Sequence, residues 1–256
     1  MPWTFAHPAA AIFVRRFGGA SLPLSGLVVG SLSPDFGYYI GAFGLATHAH
    51  TLRGTLDVCL PSAFVLLLVL LRLRRVLVAP LPLLHRRAIE SLPSPSCWPA
   101  SDAARMIAAL WIGAMTHVAW DSFTHASGMM VSIIAPLREV LFEVSGRRFA
   151  TYNILQHAGT LFGILVIGFA YGRWLARTVG GEACLRFPAL GESLPLVTAA
   201  LLSAVLGLAI ALLKLGTEAG WPVLMFRSIV DSTIVFSAAY LVLALHAVRK
   251  ARMQTA

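Results

Sequence analysis

Charge is scarce in this chain. Asp, Glu, Lys and Arg make up 12% of its 256 residues, about half of what a soluble domain carries. Hydrophobic residues account for 58%, and mean hydropathy is +0.79. That balance excludes an ordinary soluble globule and indicates an integral membrane protein. Acidic residues are scarcest, 11 against 20 Lys and Arg, for a formal net charge of +9. The arginines sit in short clusters beside apolar runs, with no basic stripe interleaved with aromatics, so nucleic acid is not an expected partner. Positive-inside topology accounts for the excess instead. Cysteine is nearly absent: Cys59, Cys97 and Cys184 are scattered and odd in number, which excludes a disulfide framework or a CxxC metal knuckle. The N-terminus lacks a basic n-region and has His7-Pro8 where an apolar run would begin, so no signal peptide is expected. No nucleophile elbow, Walker loop or strand-preceded GxGxxG occurs, which counts against covalent serine catalysis and nucleotide use.

Long apolar runs are what the chain has in quantity. They predict an all-α, polytopic membrane bundle forming one membrane domain over residues 1–256. About five spans are expected: Leu56 to Leu71, Ala103 to His125, Asn153 to Tyr171, Leu194 to Leu213, and Trp221 to Val248. Two earlier runs, Ala9 to Phe17 and Leu22 to Leu32, are too short to cross a bilayer and read as a hairpin of half-length helices. A Gly- and aromatic-rich loop carrying His48 and His50 follows. Leu137, Val140, Leu141 and Val144 recur at i, i+3, i+4 and i+7 and predict a short amphipathic helix at the interface, placed to act as a lid. Gly159, Gly163, Gly168 and Gly172 suggest small-residue packing faces. Residues 1–175 form the expected metal-site core, and residues 194–250 add two C-terminal spans.

Basic clusters at residues 72–75, 86–87, 173–177 and 249–252 are expected to face the cytoplasm, leaving the C-terminus inside. The zigzag this imposes carries His7, Asp35, His48, His50, Asp121, His125 and His157 to the outer ends of their segments, with His117 about two turns deeper. Only His85 and His246 fall on the inner side. Within the second span, His117, Asp121 and His125 share one helical stripe, each about 40° round from the last. Imidazoles and a carboxylate at that spacing suit a first-row divalent metal. His117 and Asp121 can share one ion, while His125 serves a second ion or a different partner. Asp57 reads as a helix-start carboxylate or an outer partner to a ligating histidine, and Arg227 with Asp231 as an i, i+4 pair inside the last span.

The segments Pro2-Trp3-Thr4-Phe5-Ala6-His7-Pro8-Ala9-Ala10, Gly30-Ser31-Leu32-Ser33-Pro34-Asp35-Phe36, His117-xxx-Asp121-xxx-His125 and Leu155-Gln156-His157 resemble an uncharacterised bacterial membrane-protein family, domain of unknown function 4184. That name implies no activity. More distantly, the order of His and Asp is similar to the zinc-dependent phospholipase C and membrane-bound metal-dependent hydrolase group. This likeness implies that His7, Asp35, His48 or His50, His117, Asp121, His125 and His157 are metal ligands. Leu161 stands where those phospholipases place a Glu one turn after the last helical His, so one or two ions are expected rather than three. A metal-dependent hydrolase would use Asp121 and His117 catalytically and take a lipid-derived phosphoester from the membrane. The same residues would also suit a metal or proton pathway in a transporter, or a structural cluster knitting the helices together.

Overall fold

The structure, a computed structural model, describes residues 3–18, 21–92, 100–144, 146–180, 190–216 and 219–255. Pro2 of the opening motif, Cys97 and Cys184 lie outside the described residues.

The chain opens with a 3-10 turn, Thr4–Ala6, followed by α1 (Pro8–Gly18) and α2 (Leu24–Leu32). Pro8 suits the first helical position because its missing N–H has no partner to lose there, and Arg15 and Arg16 sit in the last turn, where the helix dipole favours cations. This is the expected half-length hairpin. The segment expected as a loop beyond it is helical instead. It comprises a 3-10 turn (Ser33–Asp35), α3 (Phe36–Tyr39), α4 (Phe43–Ala49), α5 (Leu52–Gly54) and a π turn (Thr55–Cys59) that runs into α6 (Leu60–Val78). Gly41, at φ +74°, turns the chain between α3 and α4, and Thr51 caps α5 by accepting from the Gly54 N–H at 2.9 Å.

After α6 come α7 (Leu83–Glu90), α8 (Ala100–Thr124) and α9 (Met129–Ile133). Next are strands β1 (Val140–Val144) and β2 (Arg147–Ala150), then α10 (Thr151–Val179), α11 (Leu190–Leu215) and α12 (Trp221–Thr255). Among the described residues four helices are long and apolar enough to cross a membrane: Leu52–Val78, Thr151–Val179, Gly191–Leu215 and Trp221–Gln254. The chain is a multi-pass, all-α membrane protein. The expected second span, Ala103 to His125, lies largely in α8, which is not in that set. Asp102, Arg105, His117 and Asp121 dilute its apolar character, and Met106, Ala109, Leu110 and Ala114 are buried inside the protein.

The amphipathic helix expected over Leu137 to Val144 is not formed. Leu137 lies in a 3-10 turn (Ala135–Arg138), and Val140–Val144 pairs antiparallel with Arg147–Ala150. β-Branched and aromatic residues favour the extended chain. Gly146, at φ +76°, makes the turn, and Phe142 opposite Phe149 with Glu143 opposite Arg148 supply favourable cross-strand pairs.

The chain divides into two compact units, Met1–Leu68 with Ser96–Tyr171, and Val69–Pro95 with Gly172–Ala256. In the second, α11 and α12 form a hairpin. Gly207 lies against the Ser232 backbone, and Lys214 Nζ meets buried Asp231 at 2.8 Å. Arg227, the expected partner of Asp231, stands at 4.0 Å.

In the first unit α2 lies along α8 at a spacing that only small residues allow. A Cβ on Gly30 would strike the Leu110 carbonyl, and one on Gly113 the Leu27 carbonyl. A Cβ on Gly26 would come within 2.7 Å of the Met106 sulfur. Glycines four apart let helix backbones approach closely in this way. Of the glycines expected to pack in α10, Gly159 lies against Trp120 and Gly163 against Ala6, whereas Gly168 and Gly172 face open space.

Candidate metal centre

The close approach of α2 and α8 brings a backbone carbonyl to an imidazole. His117 Nδ1 donates to the Ser31 carbonyl at 2.7 Å. A carbonyl only accepts, so the proton is on Nδ1 and the Nε2 lone pair points the other way. His50, at the C-terminal end of α4, is held alike: its Nδ1 donates to the Ala46 carbonyl at 2.8 Å. Such outer hydrogen bonds set tautomer and ring orientation in metal-binding histidines. Asp35, which ends the 3-10 turn after α2, accepts at Oδ2 from the Thr4 hydroxyl at 2.5 Å, and Thr4 accepts from Tyr39 at 2.8 Å. Its other oxygen, Oδ1, is buried with no hydrogen-bond partner.

Four donor atoms thus converge: Asp35 Oδ1, His50 Nε2, His117 Nε2 and Asp121 Oδ2. The separations are 3.5 Å from His50 to Asp35 and 3.3 Å from His50 to Asp121. From His117 they are 3.6 Å to Asp35 and 3.4 Å to Asp121. These exceed the about 2.7–2.9 Å of a charge-assisted hydrogen bond. They are near the about 3.3–3.4 Å that separates two ligands each about 2.0–2.1 Å from a zinc ion, and Asp35, His50 and His117 form one three-residue group with metal-holding separations. Asp35 and His117 are fully buried and Asp121 is nearly so. Two buried carboxylates are costly unless compensated, and a divalent cation among neutral imidazoles would balance both. Without one, the Asp121 and Asp35 carboxylates overcome the effect of burial and raise the His50 pKa to about 10. The Asp35 carboxyl is held below its ordinary range: burial pushes it up, but His117 and His50 outweigh that.

Asp121 reaches beyond this set. Its Oδ1 faces His7 Nε2 at 3.5 Å and His125 Nδ1 at 3.5 Å. His7 is buried, stacked on His117 with ring centroids 3.6 Å apart, and neither of its nitrogens has a hydrogen-bond partner. Burial and the neighbouring His117 lower its pKa to about 3, so it is a neutral imidazole with a lone pair to offer. His125 Nε2 is also buried and unpartnered. His7, His117 and Asp121 form a second group with metal-holding separations, so the Asp121 carboxylate lies where it could bridge two ions.

The structure therefore brings together His7, Asp35, His50, His117, Asp121 and, at the margin, His125. His48 stands apart. Its Nε2 lies 3.0 Å from both Asp57 oxygens, and Arg53 approaches the same carboxylate at 3.4 Å, all at the surface. Asp57 is thus a surface partner of His48 and not an outer partner of the centre. His157 is exposed on α10 and belongs to neither group. Sequence reasoning missed Thr4, Ser31 and Tyr39, which orient Asp35 and His117. The four-residue spacing of Gly26 and Gly30 was the available signal that α2 lies close to a neighbouring helix.

No curated protein and no solved structure matches the chain. A family model described as domain of unknown function (DUF4184) matches residues 1–248. The chain belongs to that family.

Proposed function

We propose that the protein is a divalent-metal-dependent hydrolase of a lipid-derived phosphoester, zinc being the expected metal, with its centre on the extracytoplasmic side and its C-terminus in the cytoplasm. The observation that carries this reading is the set of four imidazole–carboxylate separations of 3.3–3.6 Å among Asp35, His50, His117 and Asp121, with both imidazoles held through Nδ1 so that Nε2 faces the carboxylates. Asp35, His50, His117 and Asp121 would hold the ion. A zinc-type ion supplies polarisation of a phosphoryl oxygen and lowers the pKa of a bound water toward about 7. Asp121 Oδ1, turned toward His7 and His125, would take a proton from an attacking water. His50 and His125, with side chains 21% and 24% exposed, form the accessible edge through which substrate enters. The side assignment rests on the basic clusters at residues 72–75, 86–87, 173–177 and 249–252.

A through-route for ions has less support. Below His117 the buried face of α8 is Ala114, Leu110, Ala109 and Met106, without a polar group. The test is release of phosphorylated head group from phospholipid by zinc-loaded protein in mixed micelles. The reading expects turnover that chelation removes, zinc restores and His50→Ala abolishes. Absence of turnover by metal-loaded protein across anionic and zwitterionic phospholipids would refute it.

A further inference from the structure

An apolar groove of about 630 Å³ runs between α8 and α10, within the about 300–1,000 Å³ typical of small-molecule sites. Trp120 and Phe123 form one wall, Leu155, Ala158 and Phe162 the other, and Gly159 the floor. A Cβ on Gly159 would meet the Trp120 indole nitrogen at 3.0 Å, so glycine lets the indole lie on α10 while the groove stays open beside it. Leu155 and Phe162 lie about 6 and 16 Å along α10 from its start at Thr151. Since α10 is a membrane-spanning helix, the groove sits in its first turns.

The groove ends beside His125 and His7, at the edge of the candidate centre. Thr124 lines the groove, and its hydroxyl lies 3.3 Å from His125 Nδ1 on the accessible edge. Trp120, in the wall, presents its ring edge-on to His7 at 6.1 Å. An apolar slot at membrane depth that ends beside buried carboxylates and imidazoles has the polarity profile of a lipid: hydrocarbon below, phosphoester above.

We infer that the α8–α10 groove is an acyl-chain site that seats one fatty chain of a phospholipid and so delivers its head-group phosphoester to the Asp35, His50, His117 and Asp121 centre. That the seated lipid is the substrate rests on the proposed hydrolysis. Occupancy of the groove does not.

The experiment uses full-length protein in nanodiscs containing phosphatidylglycerol with a photoreactive diazirine on one acyl chain, and peptide mapping after illumination. The groove residues Phe123, Leu155 and Phe162 should be labelled severalfold more than Leu161 and Leu165, which are exposed on α10 outside the groove. Ala158→Trp, which fills the groove from an exposed position, should remove that excess while metal content and helical circular dichroism are kept. Uniform labelling along α10, or an excess that survives Ala158→Trp, overturns the acyl-chain site. The same variant should lower kcat/KM for a long-chain phospholipid about tenfold or more, with little change for a dihexanoyl analogue. Equal loss on both substrates, or on neither, overturns substrate delivery. Groove labelling without hydrolysis in any form of the protein leaves the lipid site standing and defeats the hydrolase reading alone.

Discussion

At the scale of single residues, the candidate centre would depend on what holds each donor side chain as much as on the donors. Thr4 fixes Asp35 by donating to Oδ2 at 2.5 Å, leaving Oδ1 toward His50 and His117. Thr4→Val keeps the shape and removes that donor. Metal affinity should fall about 10–100-fold, the usual effect of losing an outer hydrogen bond, as measured by competition with a chromophoric chelator. An unchanged affinity would mean that Asp35 is positioned by something else or is not a ligand. The histidines divide in the same way. His50 Nε2 lies 3.3 Å from Asp121, whereas His48 is engaged by Asp57 at the surface. His50→Ala should therefore lose the metal, while His48→Ala and His157→Ala should retain its full stoichiometry by elemental analysis. Metal loss in His48→Ala would contradict the assignment of His50 as the ligand.

At the scale of elements, α2 and α8 are the frame. Their backbones approach so closely at Gly30 and Gly113 that neither position has room for a Cβ, and that approach places the Ser31 carbonyl on His117 Nδ1. Gly30→Val forces the helices apart. Overpacking of this kind costs about 1–3 kcal/mol, and the variant should lose thermal stability and metal together, followed by circular dichroism and elemental analysis. Retention of full metal content would show that the centre does not need the α2–α8 contact. Much of this frame was legible in the sequence. Hydropathy and the Gly18-Gly19 break give the half-length hairpin, and the stripe of His117, Asp121 and His125 places two polar groups on one face of α8 and a third just past its end. The short helices around His48 and His50 were not legible, because elements of three to seven residues span at most about two turns, too few for a helical pattern to repeat. Val140–Val144 misled because a run with apolar residues at positions i, i+1, i+2 and i+4 satisfies both periods. The turn at Gly146 and the pairing with Arg147–Ala150 decide for strand, and pairing partners are not a property of the run itself. The choice between His48 and His50 hinged on which way α4 turns its end, which spacing alone does not determine.

At the scale of the whole molecule, the candidate centre and the C-terminal hairpin lie in different units. Every residue of the candidate centre lies in the unit formed by Met1–Leu68 and Ser96–Tyr171, and the α11–α12 hairpin belongs to the other. The hairpin holds buried Asp231 against Lys214 at 2.8 Å. Asp231→Ala leaves Lys214 and the nearby Arg227 without that carboxylate. Removing one partner of a fully buried pair costs about 3–5 kcal/mol, and here less, since the Lys214 side chain is 48% exposed. The melting temperature should fall while metal stoichiometry stays intact, and metal loss in this variant would contradict the separation of roles. The most direct test of the central claim is the metal content of detergent-purified protein, wild type beside His117→Ala and Asp121→Ala, each checked for folding by circular dichroism. The account predicts about one or two zinc-type ions per chain in the wild type and none in either folded variant. A wild-type protein that holds no stoichiometric metal after incubation with zinc, manganese or iron, or folded variants that hold as much as wild type, would contradict it.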